Sequence, residues 1–477
     1  MLGCVRNVQA LAGPLAGSLL AFLVFWLVYS SPESDLHLAA PLTHFWVVSL
    51  TSLLAVALAV LVGLAGARAR DSRIVYLAGG FASMAGLFAL HGLSAPGVIL
   101  RDHTVTSVAS QLALVAFAAS MVAAAYLRPM RRRDSLRGLL VAWIGVIVAF
   151  DAVLLLWPDL ARHVPVHQPP LDYAVSIVVV ALLVLAGTRF LEGYRLARLG
   201  VHLVMLHVTG WVVVAQVIMV VSEPYRLSWW LYHLLLLAAV SLMLATFARQ
   251  LRAGKLTSDL NALLDDDALR RVAYGVRPEV KALVVATEAK DHYTAGHMQR
   301  VADMAVRIGA AMGLQPEELR ALAQAGVVHD VGKIEVPDAV LNKPSRLTDR
   351  ERELIEQHPA NGERIGRALG MPRAELEVIR HHHERWDGKG YPDRLVGTQI
   401  PLLARILAVA DVYDALTSER AYRPAWSPEE ARRHVREESG KAFDPQVVEA
   451  ALAVLAEAPT DVPARQRERR LTLVGTD

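Results

Sequence analysis

Two hydrophobic rhythms divide the chain. Up to about Ala248, long unbroken apolar runs dominate; from Arg249 onward, apolar residues recur singly at helical spacing among charged ones. Eight runs, at about 11–30, 44–66, 74–95, 106–127, 138–157, 172–190, 201–221 and 229–248, each approach the roughly 20 residues that a spanning helix needs. They predict a polytopic transmembrane bundle over residues 1–248. The first run continues to Ser30 with no polar cleavage region, so it is expected to stay as an anchor. Residues 249–277 place Leu256, Leu260, Leu263 and Leu264 at helical spacing before Asp265, Asp266 and Asp267. This stretch reads as a helical connector, with an apolar face suited to a twin in a homodimer. Gly275 and Pro278 mark a restart, proline fitting the first turn of a new helix. From 278 to 458 the period stays helical, punctuated by Gly and Pro, with no strand-like alternation. Residues 459–477 are polar and expected to be loosely ordered. The expected fold class is all-α throughout.

Charge sharpens this picture. Arginines cluster after the second run (Arg68, Arg70, Arg73), the fourth (Arg128, Arg131, Arg132, Arg133, Arg137), the sixth (Arg189, Arg195, Arg198) and the eighth (Arg249, Arg252). The alternate connections carry at most one each, Arg101, Arg162 or Arg226. By the positive-inside rule, both termini then face the cytoplasm. A net charge of +3 over 477 residues argues against a nucleic acid polymer as partner. The single Cys4 excludes an intramolecular disulfide and any thiolate-built zinc or iron–sulfur site within one chain.

Within the apolar half, Asp151 stands out as an acid well inside the fifth run, a candidate functional group unless a neighbouring helix supplies a partner. His91, His202, His207 and His233 also fall in apolar runs, where hydrogen-bonded helix packing is the plainer reading and a cofactor site the sharper one. His37, His103, His163 and His167 lie in connections. Internal repeats and broken polar helices, the marks of a transporter, are missing from the pattern. What this half detects is an unknown sensory ligand.

The second half carries the chemistry. His297 stands four residues before Val301, on a stripe continued by Met304, Ile308 and Met312. His329 and Asp330 close an apolar helix, Gly332 breaks it, and Lys333 follows, able to neutralise a phosphate oxygen. His358 precedes Pro359 at a helix end. In the run His381-His382-His383-Glu384-Arg385-Trp386-Asp387-Gly388-Lys389-Gly390-Tyr391-Pro392, His383 falls four residues after Ile379 and is expected inward, with His382 on the rim. Asp411 lies at i+4 from Leu407, a carboxylate on an apolar stripe that is costly unless paired or bound to a cation. Asp414 reads as a supporting acid. Five imidazoles and two carboxylates exceed what one ion uses and suit two ions sharing Asp330. Ligation by nitrogen and oxygen alone admits Fe, Mn, Co or Zn. Such a pair activates water and stabilises the leaving oxygen at phosphorus. Arg420 and Arg423, past Asp411, are suited to phosphate.

Residues from about 280 to 455 closely resemble the HD-GYP family, a subset of the all-α HD phosphohydrolases. The strings carrying the resemblance are DHYTAGHMQRVA, HDVGKIEVPDAVLNKP, QHPANG, HHERWDGKGYP and IPLLARILAVADVYDALTSERAYR. It implies hydrolysis of cyclic di-GMP to linear pGpG, often on to GMP, in a bacterial cytoplasm, which puts the spans in the inner membrane. It makes His297, His329, Asp330, His358, His382, His383 and Asp411 the ligands of two divalent ions, iron or manganese, with Asp330 and Lys333 catalytic. Lys333, Arg420 and Arg423 become phosphate contacts, and Gly390, Tyr391 and Pro392 line the substrate. Arg423 replaces the family's more usual lysine and keeps its charge. Some members bind a third ion through a glutamate four residues before the first histidine; Tyr293 stands there, so a binuclear centre is expected. Hydrolysis of another cyclic dinucleotide, or silent binding of one, are the alternatives.

Overall fold

The computed structural model describes residues 2–69, 71–95, 98, 103–128, 133–165, 168–265, 278–290, 296–419 and 424–456. Every element named among them is an α- or 3₁₀-helix, and β pairing is limited to isolated bridges. The chain divides into two compact units, Met1–Asp266 and Asp267–Asp477.

The first unit holds α1 (Leu2–Tyr29), α2 (Pro41–Ala69), α3 (Ser72–Leu93), α4 (His103–Tyr126), α5 (Arg133–Leu156), α6 (Leu171–Ala197), α7 (Gly200–Val221) and α8 (Leu227–Arg252). All eight are long and apolar enough to cross a membrane. Burial ranks them: 78% of the α3 span is buried against 6% of the α5 span, so α3 is the axis and α5 lies on the rim. Small residues let the rim helix approach α3. A Cβ on Gly86 would meet Ile147, and one on Gly79 would meet the Trp143 ring at 3.2 Å. Val141, Val146, Val148, Leu156 and Ile177 remain exposed, an apolar surface suited to lipid.

Asp151 lies beside Gly86, and its Oδ1 is buried without a hydrogen-bond partner among the described residues. His207 donates from Nδ1 to the Leu203 carbonyl at 2.8 Å, the packing role expected of it. The helix α9 (Leu256–Leu264) occupies the connector, but Leu256, Leu260, Leu263 and Leu264 are all buried within the first unit. The face expected to meet a twin is therefore covered by the chain's own helices. Arg73 secures it by donating to the Leu264 carbonyl at the helix C-terminus, where a cation is favoured.

The second unit comprises α10 (Pro278–Lys290), α11 (His297–Ala311), α12 (Pro316–Gly326), α13 (Asp338–Leu341), α14 (Asp349–Glu356), α15 (His358–Ala368), α16 (Arg373–His381), α17 (Leu402–Thr417), α18 (Pro428–Glu437) and α19 (Pro445–Ala456). Its core takes Val301, Ala305 and Ile308 from α11, Leu322 and Ala325 from α12, Val378 and Ile379 from α16, and Ile406, Leu407, Val409 and Ala410 from α17. Each large aliphatic side chain so buried contributes about 1.5–3 kcal/mol. Helix starts are written locally: Thr348 with Glu351, and Ser427 with Glu430, form reciprocal caps. Together these helices hold several chain ends around one point.

Candidate metal centre

That point is where the helix ends meet. His329, His358 and His382 sit just beyond or at such ends, and each donates Nδ1–H to the carbonyl three residues earlier: Gly326 at 2.8 Å, Ile355 at 2.7 Å and Ile379 at 2.8 Å. One local device thus fixes three tautomers, leaving each Nε2 lone pair aimed inward. His358 and His382 bring their Nε2 atoms to 3.3 Å. Asp330 joins them, Oδ1 standing 3.2 Å from His358 Nε2 and 3.9 Å from His382 Nε2. The His383 ring lies 4.1 Å from that of His382 and 5.0 Å from that of His358.

On the other side of Asp330, Oδ2 stands 3.5 Å from His329 Nε2. His297 Nε2 is 3.2 Å from Asp411 Oδ1, which lies 4.0 Å from His329 Nε2. His329 Nε2 is buried with no hydrogen-bond partner among the described residues, an acceptor facing two carboxylates that cannot donate to it. The donors form two groups able to hold a cation, Asp330 with His358, His382 and His383, and Asp330 with His297 and His329. Asp330 belongs to both. Residues scattered over more than a hundred positions are brought together, and the donor set fits two borderline cations.

Electrostatics follow from this crowding. Burial and neighbouring imidazoles hold His382 well below its ordinary value and His383 down to about 3, so both are neutral lone-pair donors. Burial works against a charge on Asp330, but Lys333, His329 and His358 outweigh it and hold the carboxyl well below its usual range. Lys333 Nζ donates to Asp330 Oδ2 at 2.7 Å. His297 differs: burial opposes its charge, yet hydrogen bonds to Asp411 and Asp414 push it up to about 10. A cation arriving between His297 and Asp411 takes the place of that Nε2 proton. Asp414 accepts from His297 Nδ1 at 2.8 Å and from Arg300 Nε at 2.7 Å, the supporting acid its position indicated.

His383 turns its ring to the cluster as expected, but His382 lies deeper than the rim expected of it. Helix α16 ends at His381, so His382 turns inward and is 1% exposed, while His383 takes the half-buried position. His381 faces away and donates from Nε2 to Asp393 at 2.9 Å. The glycine-rich loop runs beside the cluster with the Tyr391 ring 4.9 Å from that of His383. A Cβ on Gly390 would strike the backbone of His383, Glu384 and Arg385, so only glycine lets the loop lie this close. Pro392 follows through a cis peptide bond, and Asp387 pairs with Arg385 at 2.9 Å rather than facing the cluster. Arg420, Arg423 and Tyr293 lie outside the described residues, as do connector residues 266–277 and the tail 459–477.

One residue escaped the sequence reading. Buried Glu384 accepts from the Asp393 amide at 2.7 Å and the Leu395 amide at 3.0 Å, tying down the loop that carries Tyr391. Its partners lie nine and eleven positions on and are backbone groups, so no side-chain spacing betrays it. In Glu384→Gln one amide faces an NH₂ instead of an acceptor, a loss of about 1–3 kcal/mol for an unpaired buried donor. Faster hydrogen exchange at the Asp393 and Leu395 amides is expected, with turnover down about ten- to hundredfold, as for other supporting partners of metal sites. Unchanged exchange would show that the loop is held elsewhere.

A family model described as an HD domain matches residues 284–447. The cyclic di-GMP phosphodiesterase response regulator RpfG of Xanthomonas campestris pv. campestris is 40% identical over 178 residues, 37% of this chain and 47% of that protein. The cyclic di-GMP phosphodiesterase PA4108 of Pseudomonas aeruginosa is 40% identical over 198 residues, 41% of this chain and 48% of that protein. The 3'3'-cGAMP-specific phosphodiesterase 2 of Vibrio cholerae is 38% identical over 172 residues, 35% and 32% of the two chains. The chain spans less than half the length of each of these relatives.

Proposed function

We propose that this chain, whose residues 284–447 are an HD domain of the HD-GYP type, is a membrane-anchored phosphodiesterase that hydrolyses cyclic di-GMP to linear pGpG at a pair of divalent metal ions. The observation that carries the reading is the carboxylate of Asp330, shared by two donor groups within one buried cluster. His297, His329, Asp330 and Asp411 would hold one ion; Asp330, His358, His382 and His383 would hold the other, iron or manganese in either case. When bound, such a pair supplies hydroxide near neutral pH and neutralises charge developing on phosphate.

The chain's own groups do the rest. Lys333, already beside Asp330, offers a point charge to a phosphate oxygen. The Tyr391 ring, tilted 32° to that of His383 and 4.9 Å from it, would border the substrate beside the ions, with Gly390 and Pro392 shaping the edge. Arg420 and Arg423 would supply further phosphate contacts, and in the family some products are cut again to GMP. The eight apolar helices would anchor the chain in the bacterial inner membrane, with the arginine-rich connections and the HD domain in the cytoplasm.

The test is a substrate panel. Full-length protein in detergent, loaded with Mn(II) or anaerobic Fe(II), is expected to convert cyclic di-GMP to pGpG and to lose that activity to a chelator. Faster turnover of 3'3'-cGAMP would favour a second reading, which the Vibrio cholerae relative motivates. Binding of cyclic dinucleotides without turnover under either metal would overturn the enzyme assignment.

A further inference from the structure

His44, His91 and His233 come from α2, α3 and α8 of the first unit, far apart in sequence, whereas the HD domain's cluster belongs to the second unit. The structure gathers their Nε2 atoms into a triangle: 3.0 Å between His44 and His91, 2.9 Å between His44 and His233, and 3.4 Å between His91 and His233. All three side chains are buried. His91 donates from Nδ1 to the Thr106 carbonyl at 2.8 Å, so its Nε2 carries a lone pair.

Three ring nitrogens so placed cannot satisfy one another. An imidazole N–H lies in the ring plane and points in one direction, so it serves one edge of the triangle. Whatever the tautomers of His44 and His233, at least one edge leaves two lone pairs, or two protons, face to face. Between buried ring nitrogens that arrangement is costly. A single cation at the centre accepts all three lone pairs at once. Ligand nitrogens about 2.0–2.1 Å from a tetrahedral ion stand roughly 3.3–3.4 Å apart, and the observed separations lie at or slightly below that spacing.

The donor set also selects the cation. Three imidazoles with no carboxylate in the group exclude the preferences of calcium and magnesium and suit a borderline transition metal. The Thr106 carbonyl acts as the outer partner that orients a ligating histidine, and the Trp229 ring packs 5.0 Å from that of His44 and 4.3 Å from that of His233. Beside the triangle lies a cavity of about 150 Å³ with His44 and His91 in its wall, continued by Ser110, Gln111, Asp172 and Tyr225. A structural ion is closed by a fourth protein ligand, whereas three ligands next to a polar cavity leave one coordination position for an exchangeable molecule.

We propose that His44, His91 and His233 bind one transition-metal ion within the apolar helix bundle, its fourth position open to this cavity. The site does not depend on the phosphodiesterase reading and is separate from the HD domain's ligands. Full-length chain in detergent, carrying His329→Ala and Asp330→Ala to disable the other cluster, is stripped with chelator and titrated with Co(II). Tetrahedral Co(II) bands with one equivalent bound are expected, and both His91→Ala and His233→Ala in that background should abolish them. X-ray absorption of the loaded background chain, needing no change in the triad, should report three imidazole nitrogens. A chain that binds no Co(II), binds it equally after either triad substitution while retaining its helicity, or surrounds it with an oxygen shell overturns the proposal and leaves three packing histidines.

Discussion

Asp330→Ala is expected to strip the second unit's cluster of metal and lower cyclic dinucleotide hydrolysis by more than about a hundredfold, beyond the 10–100-fold typical of an outer partner. The reason is geometric. Its Oδ1 faces His358 at 3.2 Å and its Oδ2 faces His329 at 3.5 Å, so one side chain closes both donor groups. Alanine removes the charge that both cations need and leaves Lys333 without the carboxylate it holds at 2.7 Å. Two positive charges and four lone-pair imidazoles then share a pocket with Asp411 as the remaining carboxylate of the set. Helicity should survive, because Leu322, Ala325, Ile379 and Leu407 bury their surface without help from the carboxylate. Asp393→Asn serves as the control. That carboxylate sits nearby but pairs with Arg380 at 2.7 Å and His381 at 2.9 Å, on the outward side, so metal content should be retained. Metal analysis and far-UV circular dichroism on the three proteins decide the matter. Wild-type metal content in Asp330→Ala would mean that the two groups do not share this ligand.

Some of this architecture was legible in the sequence because the physics is local. An unbroken apolar run of span length has few alternatives to a membrane helix, and all eight runs became helices long and apolar enough to cross one. His297 and Asp411 were readable because each continues an apolar stripe, which aims a polar side chain into the core whatever its neighbours do. The reading failed where a helix stopped. Extrapolating α16 through His383 put His382 on the rim, whereas past the helix end at His381 it is buried with its Nε2 beside that of His358. It also failed where partners meet only in three dimensions. His44 opens the second apolar run and drew no notice, yet it completes the triad with His91 and His233 across 47 and 189 residues. The leucines of α9 were correctly placed on one face, but periodicity reports that a face is buried, never what buries it.

Gly332→Ala should be a damaging substitution although it replaces no ligand. A Cβ there would collide with the carbonyl oxygen of His358 and the amide nitrogen of Gly362, both backbone atoms that no rotamer change can clear. The turn carrying Asp330 and Lys333 therefore rests backbone to backbone on the first turn of α15, and that contact sets the distance from Asp330 to His358. A methyl group forces the two apart. If the domain keeps its shape, the overpacking costs about 1–3 kcal/mol and lowers the thermal midpoint. If it yields, His358 withdraws from Asp330, and affinity for the ion held with His382 and His383 should fall while the His297 side keeps its own. Gly370→Ala separates packing from strain. Its φ of +68° makes alanine unfavourable by about 1–2 kcal/mol, but nothing lies within 4 Å of the added carbon, so metal binding should not change. Metal titrations and melting curves for both variants test the distinction. Two ions bound by Gly332→Ala at wild-type affinity, with an unchanged midpoint, would show that the turn and the helix are not held in register by this contact, and the glycine between Asp330 and Lys333 would need another explanation.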